Sequence, residues 1–297
     1  MFNLIKMDLY RMVHSVSFKV MMVVVIAVAF FTIGMTSYDV KSMQEQPDSV
    51  IYQEKQPEES SQLQVKESED GPKFTFEVGF TMDTDYGWGN KAPFGELINE
   101  NIKSRLLLLL CVIFVPLFVN AEYKNGYIKN IAGQLPDRGK LVISKLAAVA
   151  VQVLILFAGY IFWSAIAGKI FFGDSLVFED MGDLLASTVI HYVLCLATGY
   201  VSLMLTIVSR GSALPLTFGI LCSTTFTALL YSGINVLIST ITGNNTFDIG
   251  LYTPEMNVGL VTFDMTSGDL TRILLVGCTY AVLAAVIAVR VMKKRDV

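Results

Sequence analysis

Charge is scarce in this sequence. Only 16% of its 297 residues are Asp, Glu, Lys or Arg, where soluble domains carry about 25%. Apolar residues make up 53%, and the mean hydropathy is +0.56. That balance points to lipid as the main solvent. Histidine is nearly missing, with only His14 and His191. H-E-x-x-H and G-x-S-x-G are both absent, so no catalytic residue and no metal site are expected. G-x-x-x-x-G-K-[ST] is absent too, so the chain has no loop of that type for nucleotide phosphates and is expected to hold no cofactor. The four cysteines, Cys111, Cys195, Cys222 and Cys278, fall in apolar stretches without metal-type spacing. They read as small packing residues. No nucleic-acid partner is expected.

What is abundant is long apolar sequence. A helical crossing needs about 20 mostly apolar residues, because hydrocarbon offers backbone amides no partner. Six stretches approach or meet that length: Val20–Ser37, Leu106–Ala121, Leu146–Gly168, Leu184–Val208, Ala213–Tyr231 and Ile273–Val289. The expected fold is an all-α integral membrane protein with six transmembrane helices. Residues 18–37 form the first, read as an uncleaved signal anchor, and residues 104–297 hold the other five.

Six crossings put both termini on one side. Under that topology their side carries 13 basic and 4 acidic residues, the other side 9 basic and 22 acidic. The positive-inside rule then makes the termini cytoplasmic. Lys103 and Arg105, at the outer end of the second span, go against the trend and read as snorkelling or as part of the outer insert.

Three features lie outside the plain crossings. Residues 1–17 read as an amphipathic interfacial helix, with Phe2, Ile5, Leu9, Met12 and Val13 on one side and Lys6, Asp8 and Arg11 on the other. Residues 38–103 read as an extracytoplasmic insert. Between Tyr38 and Arg105 there are 14 acidic and 7 basic residues, and Phe74–Phe80 alternates apolar and polar like a half-buried strand. The insert is therefore expected to be a small cap with some β structure. Finally, Gly211–Phe247 is free of charge but too long for one crossing, and it contains Gly243-Asn244-Asn245. A re-entrant outer hairpin is expected over 233–262, tolerable at that depth only where protein or a water-filled cavity surrounds it.

The span cores lack Asp, Glu, Lys and Arg, which leaves an ion-coupled carrier without a carboxylate for its ion. The notable polar residues there are Asn120, Gln152, Asn235 and Ser223-Thr224-Thr225. Asn120, Ser223, Thr224, Thr225 and Asn235 are candidates to line a passage, and each also suits helix-to-helix hydrogen bonding. His191 reads as a hydrogen-bonded packing residue. The densest polar stretch on the termini's side is residues 122–145, Glu122-Tyr-Lys-Asn-Gly126 through Lys129, Pro136-Asp137-Arg138 and Lys145. Gly126 permits a sharp exit from the second span, Asn125–Gln134 suits a short helix stopped by Pro136, and Asp137 suits the cap of the next helix. Such a segment is either a lever for a soluble partner or a basic anchor to lipid headgroups.

The order Glu122…Gly126…Lys129…Pro136-Asp137-Arg138…Lys145 resembles the E-x-x-x-G-x-x-(K/R)…P-(S/D)-R…K pattern after the second span of type-2 ABC-transporter permeases. The amphipathic N-terminal helix, six spans and re-entrant element extend the resemblance over nearly the full chain. It implies a permease subunit that pairs with a second copy and binds two cytoplasmic ABC ATPase subunits carrying ATP and Mg. Glu122, Gly126, Lys129, Pro136, Arg138 and Lys145 would couple to them, with 126–134 as the coupling helix. The long insert makes the chain most similar to Gram-positive exporters of phenol-soluble-modulin-type amphipathic peptides, in a bacterial cell membrane. The alternatives are export of a lipid, drug or polysaccharide, or a membrane sensor or assembly subunit that moves nothing.

Overall fold

The computed structural model describes residues 1–45, 91–124, 126, 137–179, 181–224, 226–243 and 247–294. They are almost entirely helical. The elements in chain order are α1 (Phe2–His14), α2 (Val16–Glu45), β1 (Ala92–Pro93), α3 (Phe94–Lys103), α4 (Leu106–Lys124), α5 (Gly139–Phe172), β2 (Leu176–Val177), α6 (Met181–Ser209), α7 (Ala213–Ser223), α8 (Phe226–Thr242), α9 (Pro254–Asn257) and α10 (Ser267–Lys294). Among the described residues five helices are long and apolar enough to cross a membrane, namely α2, α4, α5, α6 and α10, or six if the bent pair α7–α8 counts as one crossing. Helices dominate because each satisfies its own backbone groups where lipid supplies none.

Several boundaries differ from the sequence reading. The expected first span, 18–37, lies within a longer helix. That helix starts at Val16, one residue after α1 ends, and runs to Glu45. At the turn, the Ser15 hydroxyl accepts from the Phe18 amide at 3.1 Å and donates to the Met12 carbonyl at 2.7 Å. Within the stretch assigned to the outer insert, Phe94–Lys103 forms a helix, α3, that packs into the bundle. Its Phe94, Leu97, Ile98 and Ile102 are all within 3% of full burial, and it packs on α5 and α6. The expected strand at 74–80 lies outside the described residues, as do Asn125 and 127–136, most of the expected short helix.

The stretch 213–231, expected as one crossing, is two helices that meet at 79°. Hydroxyl groups at the break compete for backbone carbonyls. Ser223 donates to the Gly219 carbonyl at 2.9 Å, Thr224 to Leu221 at 3.0 Å, and Thr227 to Thr224 at 3.0 Å. Thr224 leaves the helix with extended backbone. The hairpin expected from Gly233 therefore begins inside α8, which ends at Gly243 with φ +69°.

Polar pins hold the long pair α2–α5 along its length. The Gln152 amide reaches Met21 Sδ at 3.3 Å, the Thr32 and Tyr160 hydroxyls meet at 3.0 Å, and Ser37 and Lys41 both donate to the Phe171 carbonyl, at 3.4 and 3.3 Å. Just beyond Phe171, β2 pairs in parallel with β1, Ala92 opposite Leu176. Elsewhere small residues let helices close up. A Cβ on Gly219 would sit 2.7 Å from Val112 Cβ, whereas one on Gly233 would meet nothing within 4 Å. Gly219→Ala should therefore push α7 off α4 and cost about 1–3 kcal/mol. Gly233→Ala should be neutral or stabilise by up to about 1 kcal/mol through helix propensity. Thermal unfolding of the two variants in detergent compares them directly.

Candidate functional site

One end of the bundle gathers α1, the last turn of α4, the first turns of α5 and the last turn of α10. Four ionisable side chains from three of these helices meet there. Lys145, on α5, pairs with Glu122 Oε2 at the end of α4 and lies 3.6 Å from Asp8 Oδ1 on α1. Arg11, one turn after Asp8, reaches Glu122 Oε1 at 3.3 Å. The side chains of Asp8, Glu122 and Lys145 are each 1% exposed. Ser144 donates to Asp8 Oδ2 at 2.5 Å, and the Lys145 ammonium stands 5.8 Å from the centre of the Phe118 ring.

The local sequence explains the geometry. Asp8 and Arg11 are three apart on α1, so they share a face. That face turns onto the bundle, with Met12 fully buried beside it, and Phe2, Tyr10 and Val13 remain exposed. Ser144 and Lys145 sit in the second turn of α5, at the height where α4 ends. Two carboxylates and two cations balance, so the group carries no net charge. Removing charges from water costs several kcal/mol per ion unless partners are close, and here each carboxylate has two. Asp8 is held by Ser144 and Lys145, Glu122 by Lys145 and Arg11.

Glu122 and Lys145 bracket the connecting segment, so their pair closes that segment at its root. Gly126 takes φ +67° just past α4, a left-handed turn that glycine allows without strain. At the other root, Asp137 Oδ1 accepts from the Gly139 amide at 2.9 Å, and its other oxygen pairs with Lys293 on α10 at 3.3 Å. The Gly139 amide, followed by Lys293, holds the exposed Asp137 carboxyl below its usual range. Arg138 directly precedes α5. Lys129 and Pro136 lie outside the described residues.

The residues considered for a passage are dispersed. Asn120 donates to Ser212 at 3.0 Å, joining α4 to the α6–α7 turn. Ser223 and Thr224 sit at the α7–α8 break, and Thr225 lies outside the described residues. Asn235, on α8, donates to Asp248 Oδ1 at 2.8 Å and accepts from the Ile249 amide at 3.0 Å. His191 is fully buried, with Nε2 3.3 Å from Asn99 Oδ1, and Asn99 in turn donates to the Val261 carbonyl at 3.0 Å.

Asp8 and Arg11 are the members that sequence reasoning placed on a solvated face. The available signal was an acidic residue and a basic one a turn apart, immediately before an apolar span.

Multiple long apolar helices and this end cluster define a multi-pass membrane protein. Residues 80–225 match the family model described as ABC-2 family transporter protein. The matched stretch contains α3 to α7 and the whole segment 122–145. It supports an ABC-2 type permease, the membrane subunit of an ABC transporter that works with an ABC ATPase. No curated protein matches the chain.

Removing one member of the network should cost far more than removing a pair. Lys145→Met leaves Asp8 and Glu122 facing each other in the interior and should destabilise by about 3–5 kcal/mol. Adding Glu122→Gln to Lys145→Met should restore part of that loss. A double-mutant cycle on thermal or denaturant unfolding reads the coupling directly, and strictly additive costs would show that the pair is not formed.

Proposed function

We propose that the chain is the passage-forming subunit of an ATP-driven exporter, working as a homodimer in a bacterial cell membrane with both termini cytoplasmic. Two copies of a cytoplasmic ABC ATPase carry the ATP and Mg, and the cargo is an amphipathic or antimicrobial peptide, exported for secretion or self-immunity. The observation that carries the reading is the buried network at the root of segment 122–145. A connector that only touched lipid headgroups would work with its charges in water. Here its two root residues are locked into the bundle and to α1, so a displacement of the segment is passed to α1, α4 and α5 together.

Within this reading Gly126, Lys129, Pro136 and Arg138 shape and charge the part that meets the ATPase, while Glu122 and Lys145 pass the load inward. The acidic balance of Tyr38–Arg105 favours a cationic peptide over an anionic lipid or polysaccharide at the exit, through its local field.

Two measurements test this. Affinity purification of the tagged chain in mild detergent should recover a nucleotide-binding ATPase, and its absence sinks the reading in favour of a sensor or assembly subunit. In vesicles holding both proteins, Arg138→Glu should lower ATP-dependent efflux of an amphipathic cationic peptide at least tenfold while the complex still assembles. Unchanged efflux would remove the segment from the drive, and ATPase stimulation by lipid or polysaccharide in place of peptide would replace the cargo.

A further inference from the structure

The opposite end of the bundle holds a second ionic group that the proposed drive does not use. Arg105 lies in the one-residue gap between Ser104 and α4, with φ +64°. That backbone region is costly for a side-chain-bearing residue, and such strain persists where the surroundings over-determine it. Its guanidinium lies against the 254–260 stretch. Nη2 is 3.5 Å from Met256 Sδ and 3.4 Å from where a Cβ on Gly259 would stand. Glu255 is 5% exposed, and its Oε1 accepts a short hydrogen bond from the Tyr231 hydroxyl of α8.

α8 is the least embedded long helix of the structure. Among its 17 residues Thr227 alone is buried, and Leu230, Val236, Leu237 and Ile241 are exposed. Three of its polar side chains, Thr227, Tyr231 and Asn235, follow one line at intervals of one turn. Tyr231 bonds Glu255, and Asn235 bonds Asp248 and the Ile249 amide. The receiving loop is itself stiff. The Asp248 carboxylate accepts from the Gly250 amide at 2.9 Å, and the Asn257 amide donates to the Leu251 and Thr253 carbonyls at 3.0 and 2.6 Å. Both ends of α8 are bends, extended backbone at Thr224 and left-handed backbone at Gly243.

We propose that the Tyr231–Glu255 hydrogen bond, braced by Arg105 against Met256 and Gly259, is a latch that holds α8 down on the 248–257 loop, and that α8 swings about its two ends when the latch opens. Arg105 is a positioning residue. It braces the backbone at Met256 and Gly259, next to Glu255, and the Glu255 carboxylate holds Tyr231. Because Arg105 directly precedes α4, and α4 ends at Glu122 of the network, one helix joins the drive end to the latch.

Nitroxide labels at Leu237→Cys on α8 and Leu185→Cys on α6 report the swing in the full chain in nanodiscs, by double electron–electron resonance. Both positions are exposed, at 63% and 67%, and Cys278→Ser removes the exposed native thiol. A control pair joins Leu185→Cys to Val23→Cys on α2. The parent should give one narrow distance for the first pair. Tyr231→Phe and Arg105→Gln should each raise a displaced population roughly tenfold, the change expected when a hydrogen bond to a charged group is lost, with the control pair unchanged. Combined, they should do no more than the larger single change, because they act in series. An unaltered first pair in either variant, equal broadening of the control pair in Tyr231→Phe, or fully additive effects would overturn the latch. The readout needs neither ATPase nor cargo, so its failure is separate from failure of the transport reading.

Discussion

Two carboxylates and a lysine buried at one end of an apolar bundle, with Arg11 at their edge, constrain everything around them. Lys145 cannot leave the interior without stranding Glu122 and Asp8, and those two cannot be left facing each other without it. The end of α4, the start of α5 and the inner face of α1 are therefore fixed to one another. α1 is bound to the bundle by charge as well as by Met12, although its outer face keeps exposed apolar residues. The segment that connects α4 to α5 is tied at its base.

The consequences run along α5. That helix of 34 residues is roughly 50 Å long at 1.5 Å per residue. It carries Lys145 near one end and Phe171 near the other. Between them Gln152 and Tyr160 pin it to α2, and at Phe171 it takes Ser37 and Lys41 of α2. The β1–β2 pairing follows within a few residues. Both attachment points of the stretch between Glu45 and Lys91 thus converge on the far end of α5. Hydrogen bonds within lipid-facing bundles are individually modest, about 1 kcal/mol, but these occur at several heights of one interface and fix its register.

Much of this was legible in the apolar stretches, because hydropathy over about 20 residues reports a bilayer constraint that tertiary context rarely overrides. Gly126 and Asp137 were readable as a left-handed exit and a capping acceptor because those roles are local. Glu122 and Lys145 were readable through the pattern of the segment, but their pairing with each other was not. Asp8 and Arg11 were hidden for a different reason. On a helical wheel a charged face looks the same whether it meets water or a complementary buried charge, and only the fold supplies the second half of the pair. The α7–α8 break was hidden because Ser223 and Thr224 are compatible with a span when their hydroxyls bond within the helix. α3 escaped because ten residues are too short to register as a crossing, and their Asn and Glu content resembles the outer stretch before them.

Arg105 joins these observations. Counted as a surface charge, it contradicts the positive-inside rule, which rests on the cost of moving cations across the bilayer. In the fold its guanidinium is turned inward onto Met256 and Gly259, so it is engaged by the protein and carries little weight as a topological signal. The same argument applies to Lys145 at the other end, where the carboxylates of Asp8 and Glu122 take up the charge. Under the proposed topology the cations that remain exposed at the terminal end, Lys293 and Lys294 among them, follow the rule. Arg105, an exception to it, is a place where charge is used inside the protein.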